Sequence, residues 1–145
     1  MTQIRVAITI DAAPAKVWAD VRDIASHTSW MADAEAIRFT SASTKGVGTT
    51  FDCETRVGPL HLTDRMEVTE WVEGSTMGIR HVGVVTGTGR FTLAPTDRGG
   101  TRFAWEEDLT FPWWLGGRLG GLVGGRILRM IWRRNLRALK ARIED

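Results

Sequence analysis

Residues 51–72 read FDCETRVGPLHLTDRMEVTEWV, and two kinds of side chain alternate on both sides of Gly58-Pro59. Because successive side chains of a strand point to opposite faces, the pattern predicts two strands joined by a two-residue turn. That turn places eight residues on one face, six of them apolar or sulfur-containing: Phe51, Cys53, Thr55, Val57, Leu60, Leu62, Asp64 and Met66. The opposite face is mostly charged and is predicted to meet water, so the first face is predicted to look into the protein.

The alternation of polar and apolar residues extends along the chain in both directions from this hairpin. It predicts six strands with short turns, which require antiparallel neighbours. These strands are expected at about 36–42, 47–57, 60–72, 76–83, 87–95 and 101–111. Upstream, alternation predicts another strand at 3–11, followed by a helix at 14–25 and a helical turn near 26–31. Downstream of Pro112, helical spacing of apolar residues predicts one long helix.

The apolar stripe of this long helix needs a surface that buries it, and the concave face of the sheet is the one available. The stripe consists of Leu115, Leu119, Leu122, Val123, Ile127, Met130, Ile131, Leu136, Leu139 and Ile143. The predicted fold class is therefore α+β. A seven-stranded curved antiparallel sheet wraps around a long C-terminal helix, with two short helices between strands one and two. A sheet curled around a helix leaves an internal space where small molecules can bind.

Two further turns decide which ionisable residues face that space. A turn at Gly74-Ser75 pairs Val68 with His81, which puts His81 on the inner face. A three-residue loop between the last two strands pairs Phe91 with Glu107, and Glu107 then also faces inward. Because side chains alternate strictly, each assignment fixes the faces of a whole strand.

Asp64, His81 and Glu107 are thus predicted to share a face that is otherwise apolar. A buried charge is costly unless it has a partner, water or a shifted pKa. One interpretation is a polar anchor, or an acid/base set, inside an apolar cavity. The other is that all three lie near strand ends and reach solvent at the cavity mouth.

Composition excludes several classes of protein. The chain has 145 residues with 43% hydrophobic and 25% charged, which predicts a single domain over 1–145. The one cysteine, Cys53, excludes a disulfide framework, and His27, His61 and His81 lack metal-ligand spacing. No dinucleotide or phosphate-loop motif is present, so neither a metal nor a cofactor is expected. The absence of a signal peptide and of a membrane-length apolar run predicts a cytoplasmic protein.

Charge is unevenly distributed. Residues 112–145 carry 8 Lys or Arg and 2 Asp or Glu, whereas residues 1–111 carry 11 and 15. The basic segment is interpreted either as a solvated helix face or as a surface for an anionic membrane or a protein partner. Its arginines alternate with apolar residues, so specific nucleic-acid binding is not expected.

Glycine pairs recur every four residues at 116–117, 120–121 and 124–125. Each glycine costs a helix up to about 1 kcal/mol relative to alanine. Three interpretations stay open: a bare stripe that widens the cavity, a loosely helical gate, or a loop before a helix that starts near Gly124. If Gly116, Gly120 and Gly124 border the cavity, leucine at 120 should fill ligand space without loss of stability.

Several short motifs occur in an order that resembles the START-like, Bet v 1-like superfamily, and within it the polyketide cyclase/dehydrase type. They are Ile8-x-Ile10-x-Ala12-x-Pro14-x-x-Val17-Trp18, Ser29-Trp30, Gly46-Val47-Gly48-Thr49, Glu70-Trp71, Gly100-Thr101-Arg102 and Asn135-Leu136-x-x-Leu139-Lys140. The resemblance implies the helix-grip fold and a cavity for hydrophobic molecules. It implies no single reaction, because a fold does not determine chemistry.

The expected function is binding of a hydrophobic small molecule, aromatic, polyketide-like or lipid-like. The predicted ligand-binding residues are Trp30, Phe51, Cys53, Leu62, Asp64, Met66, His81, Phe91, Phe103, Trp105, Glu107, Gly116 and Gly120. The first alternative is a cyclase, aromatase or dehydratase in which His81, Glu107 or Asp64 moves a proton. The second is an interaction protein that uses its basic C-terminal helix.

Overall fold

A computed structural model describes all 145 residues. The strands are β1 (Thr2–Ile10), β2 (Ala34–Phe39), β3 (Thr50–Val57), β4 (Leu60–Val72), β5 (Thr76–Val82), β6 (Thr86–Pro95) and β7 (Thr101–Thr110). The helices are α1 (Pro14–Val21) and α2 (Gly117–Glu144), with 3-10 helices at Ile24–Ser29 and Trp113–Leu115. All seven strands form one antiparallel sheet in the order β1-β7-β6-β5-β4-β3-β2. The predicted α+β helix-grip fold is confirmed.

The β3–β4 hairpin has the predicted register. Phe51 lies opposite Met66 and Cys53 opposite Asp64, with Gly58-Pro59 as the turn. Gly58 has a φ of 59°, a left-handed conformation that glycine adopts without a Cβ clash. The alternation of polar and apolar residues therefore set both the turn and the inward face of this hairpin.

Two other registers differ from the prediction by two residues. His81 lies opposite Met66 rather than Val68, because the β4–β5 turn is one residue longer than predicted and the ladder shifts by one more residue at a bulge between Val68 and Glu70. Glu107 lies opposite Gly89 rather than Phe91, because the β6–β7 loop is two residues longer than expected. A shift of two residues preserves the face, so His81 and Glu107 still point inward.

Helix α2 packs on β1, and its C-terminal half contributes the large side chains to the core. There Trp132, Leu136, Leu139 and Ile143 are buried in the main hydrophobic core. The prediction that the whole apolar stripe is buried was wrong. In the N-terminal half, the large apolar side chains Leu119, Leu122, Val123, Ile127 and Met130 are exposed.

Residues 117–125 belong to α2, so the interpretation of this stretch as a loop was also wrong. Gly116 connects the 3-10 helix Trp113–Leu115 to α2, and its φ of 92° is in the left-handed region. Neither α1 nor α2 has the length and hydropathy needed to cross a membrane.

Candidate functional site

A cavity of about 460 Å³ lies between the concave face of the sheet and the N-terminal half of α2. Of its 34 lining residues, 23 are hydrophobic, so the wall is mainly apolar. Ten of the predicted binding residues lie in this wall: Phe51, Cys53, Leu62, Asp64, Met66, His81, Phe91, Trp105, Glu107 and Gly120. Strand alternation thus located most of the wall.

Three predicted binding residues lie elsewhere. Phe103 is fully buried and packs behind Phe91, with ring centroids 5.1 Å apart. Trp30 packs against the same two rings, because the 3-10 helix Ile24–Ser29 closes this end of the sheet. Gly116 lies outside the wall in the turn that precedes α2. The first two therefore support the wall from behind.

Asp64, His81 and Glu107 form a contiguous triad within the wall. His81 Nδ1 lies 3.0 Å from both carboxylate oxygens of Asp64. His81 Nε2 hydrogen-bonds to Glu107 Oε1. The side chains of His81, Glu107 and Asp64 are 6%, 7% and 18% exposed, so the alternative of three residues that reach solvent at the cavity mouth does not fit.

The triad fixes the protonation of His81. Burial lowers its pKa, but the adjacent Glu107 and Asp64 carboxylates outweigh burial and raise the pKa to about 10. His81 is therefore an imidazolium at neutral pH, and each of its ring nitrogens donates to a carboxylate.

Glu107 is held in place from two further directions. Trp105 Nε1 donates to its second oxygen, Oε2, at 2.8 Å. Gly89, opposite on β6, leaves the room for it, since a Cβ at position 89 would lie 2.6 Å from Glu107 Cγ. Gly89 was not among the predicted site residues. A glycine in the strand next to an inward-facing glutamate is the sequence signal that could have indicated its role.

A second polar cluster ties α2 to the chain before β2. The buried Asp33 carboxylate accepts hydrogen bonds from Trp132 Nε1 at 3.1 Å and Asn135 Nδ2 at 2.8 Å. Asn135 Oδ1 accepts from the backbone N–H of Ala32 at 3.0 Å. Asp33 and Trp132 also line the cavity. Sequence reasoning missed this cluster, and its one signal was a lone asparagine on the apolar side of the helix.

The remaining titratable candidates have ordinary structural roles. Burial raises the pKa of the Cys53 thiol to about 11, so the side chain is a neutral part of the wall. His61 is on the outer face of the hairpin, with its Nε2 3.2 Å from Glu54 Oε2.

Within α2, the two glycines of each pair face different surroundings, one the cavity and the other strand β1. Gly121 and Gly125 face β1, where an added Cβ would lie 2.2 Å and 2.8 Å from atoms of Thr2. Gly120 and Gly124 line the cavity, and the nearest atom to a Cβ at 124 is 3.9 Å away. At 120, however, a Cβ would lie 1.9 Å from the Leu115 carbonyl oxygen, so leucine at this position would disturb the backbone and the sequence-based expectation for it was wrong.

The cavity has an apolar rim. Leu60, Val84, Val123 and Ile127 line it and are also 38–54% exposed. They come from the β3–β4 turn, the β5–β6 loop and α2, so these three segments surround the entrance.

A family model described as polyketide cyclase/dehydrase and lipid transport matches residues 1–144. The chain belongs to this polyketide cyclase/dehydrase family. No protein of curated function matches it in sequence.

Solved structures similar to this family member have the same fold. TTHA0849 from Thermus thermophilus has a TM-score of 0.79 at 18% identity, with 97% of this chain and 96% of that one covered. A START superfamily protein from Mycobacterium smegmatis has a TM-score of 0.79 at 10% identity, covering 99% and 98%. The di-domain ARO/CYC StfQ from the steffimycin biosynthetic pathway has a TM-score of 0.77 at 16% identity, covering 99% of this chain and 50% of StfQ.

The protonation and the hydrogen bonds of His81 indicate what the triad can do chemically in this member of the polyketide cyclase/dehydrase family. A general acid or base works best with a pKa near the operating pH. The pKa of His81, about 10, is far from neutral, and both ring nitrogens are occupied by carboxylates. This arrangement suits a fixed polar anchor better than a proton carrier.

Proposed function

We propose that the protein binds a hydrophobic small molecule in the cavity between the sheet and α2. The observation that carries the proposal is a mainly apolar cavity of about 460 Å³ whose wall contains one ordered polar triad. Small-molecule sites are typically cavities of about 300–1,000 Å³ with apolar walls and a few placed polar groups. The apolar wall supplies the affinity, and the triad orients the ligand.

Binding is favoured over a cyclase, aromatase or dehydratase that would use His81 as its base. Abstraction of a proton beside a carbonyl requires a base with a free lone pair at neutral pH. His81 has none, since both nitrogens donate to carboxylates. The similarity to StfQ is at 16% identity and therefore supports the fold alone.

Gly124→Leu is expected to weaken ligand binding while leaving stability unchanged or higher. The leucine side chain would fill part of the cavity, since a Cβ at 124 meets only Phe111 at 3.9 Å. Removal of glycine from the helix interior should add up to about 1 kcal/mol of stability. Titration with the neutral apolar dye Nile red should show a Kd raised by about tenfold or more.

Gly125→Leu is the matched comparison, because it makes the same change one residue along the helix. Its Cβ would lie 2.8 Å from Thr2 Cγ2, so we expect overpacking against β1 and a loss of about 1–3 kcal/mol in thermal melts. Ala138→Leu, on the exposed face of α2, controls for added apolar surface. Unchanged Nile red affinity in Gly124→Leu would contradict the assignment of this cavity as the binding site.

A specific surface favours a second function, docking on an anionic membrane. Five large apolar side chains of α2 are exposed together with Trp113 and Trp114 at its start. Three arginines lie among these apolar residues and three more follow in the next turns of α2, and none of the six forms an ion pair: Arg118, Arg126, Arg129, Arg133, Arg134 and Arg137. Helices with mixed apolar and basic faces lie in the interface of anionic bilayers, and tryptophan favours the same depth. The cavity rim residues Val123 and Ile127 belong to this surface, so docking would bring the entrance to the lipid.

Vesicle sedimentation tests the membrane function. The protein should bind vesicles of phosphatidylcholine mixed with phosphatidylserine, and added salt should weaken this binding. The variant Arg126→Glu/Arg133→Glu should bind at least about tenfold more weakly, since each basic residue near the surface contributes about 1 kcal/mol. Arg98→Glu, in the β6–β7 loop, makes the same kind of charge change away from α2. Equal binding to pure phosphatidylcholine, or self-association in place of binding, would contradict the assignment.

A further inference from the structure

The charges in the cavity wall are unbalanced. Three carboxylates line it, those of Asp33, Asp64 and Glu107, together with the single imidazolium of His81. Two of these acids hydrogen-bond to His81, and Asp33 is bound only by the neutral donors Trp132 and Asn135. The wall therefore carries excess negative charge in a mainly apolar setting, where charges are poorly screened.

The other basic groups of the wall do not restore the balance. Arg90 is 45% exposed and its guanidinium bonds to Glu70 at 2.6 Å, on the outer side of the sheet. His27 is buried, its Nε2 lies 2.7 Å from the Val21 carbonyl oxygen, and burial lowers its pKa, so the ring is neutral. No lysine lines the cavity.

Asp64 has more free capacity for a ligand than the other two carboxylates of the wall. Glu107 accepts from two separate donors, His81 and Trp105, and Asp33 also accepts from two. Asp64 has His81 as its only hydrogen-bond partner and is the most exposed member of the triad. A carboxylate has about four acceptor positions, so Asp64 can accept a hydrogen bond from a molecule in the cavity.

We infer that the cavity selects apolar molecules that carry a hydroxyl or an amine and rejects apolar carboxylates. The donor group of the ligand meets Asp64, while its hydrocarbon or aromatic part lies against the apolar wall. A carboxylate at the same place would face like charge in a low-dielectric setting. This selectivity presupposes the small-molecule binding proposed above.

Competition among three molecules with the same chain tests the inference. Dodecylamine, dodecanol and dodecanoate are titrated against the protein loaded with Nile red at neutral pH. Dodecylamine and dodecanol should displace the dye at least about tenfold more effectively than dodecanoate, since like charges in a buried site are strongly disfavoured. Equal displacement by dodecanoate would overturn the charge selection.

The variant Asp64→Asn should reduce the difference in affinity between dodecylamine and dodecanoate. It removes one negative charge at nearly constant shape, so dodecanoate should gain affinity and dodecylamine should lose it. Asp52→Asn is the control, because Asp52 lies on the outer face of the same hairpin beside Arg65. An unchanged difference in affinity between dodecylamine and dodecanoate in Asp64→Asn would contradict the role of Asp64, whereas failure of Nile red itself to bind the wild-type protein would contradict the proposed binding function.

Discussion

His81→Leu is expected to destabilise the protein by about 3–5 kcal/mol, the usual cost when a buried ion pair loses one partner. The substitution leaves the 7%-exposed Glu107 side chain with Trp105 as its remaining hydrogen-bond donor. It also removes the only partner of Asp64. Chemical denaturation at neutral pH measures the loss.

The double variant His81→Leu/Glu107→Gln is the matched control for that loss. A glutamine at 107 is uncharged and can still accept from Trp105 Nε1, so the double variant should recover much of the stability. A single variant as stable as the wild type would show that the triad contributes nothing to folding.

The pH profile gives an independent readout of the same triad. The pKa of His81 rises from its ordinary 6.5 to about 10 on folding. Its contribution is therefore complete below pH 6.5 and is lost as the pH rises through about 10. The wild-type protein should lose stability over this alkaline range, and His81→Leu should lose less.

Asn135→Asp is expected to cost about 3 kcal/mol although it barely changes the shape of the side chain. It replaces the amide that donates to Asp33 at 2.8 Å with a second buried carboxylate. The loss should shrink on acidification, because protonation of one carboxyl restores a donor between the two residues. Thermal melts of both proteins across acidic pH measure this.

Ala138→Asp, three residues further along α2, places the same charge on the exposed face. It should change stability by no more than about 0.5 kcal/mol, as surface substitutions usually do. An equal loss in both variants would point to a general intolerance of negative charge on α2 rather than to the Asp33 cluster.

The sequence predicted which face of the sheet a side chain occupies more reliably than which residues pair across neighbouring strands. Alternation put His81 and Glu107 on the inner face. It did so even though the longer β4–β5 turn with its bulge, and the longer β6–β7 loop, each moved one pairing by two residues. Bulges and loop lengths depend on hydrogen bonding between strands that are distant in sequence, and a period of two contains no information about them.

The limits of prediction at the site have the same origin. The contact of His81 with both acids could be predicted only from the residue pairings across the strands, which the sequence did not supply. The hydrogen bond between Asp33 and Asn135 joins residues 102 positions apart in the chain. The pattern of α2 also predicted a buried stripe where the structure has an exposed one. Helical periodicity identifies an apolar face, but it does not say whether the face meets protein, ligand or lipid.

The alternation of glycines between β1 and the cavity separates two properties of α2. Gly121 and Gly125 determine how closely the helix approaches Thr2, whereas Gly124 determines how much of the adjoining space stays empty. Under the proposed binding function, alanine, valine and leucine at position 124 should therefore admit progressively smaller molecules while the contact between α2 and β1 is kept. A single helical position would then adjust the specificity of binding without any change in the sheet.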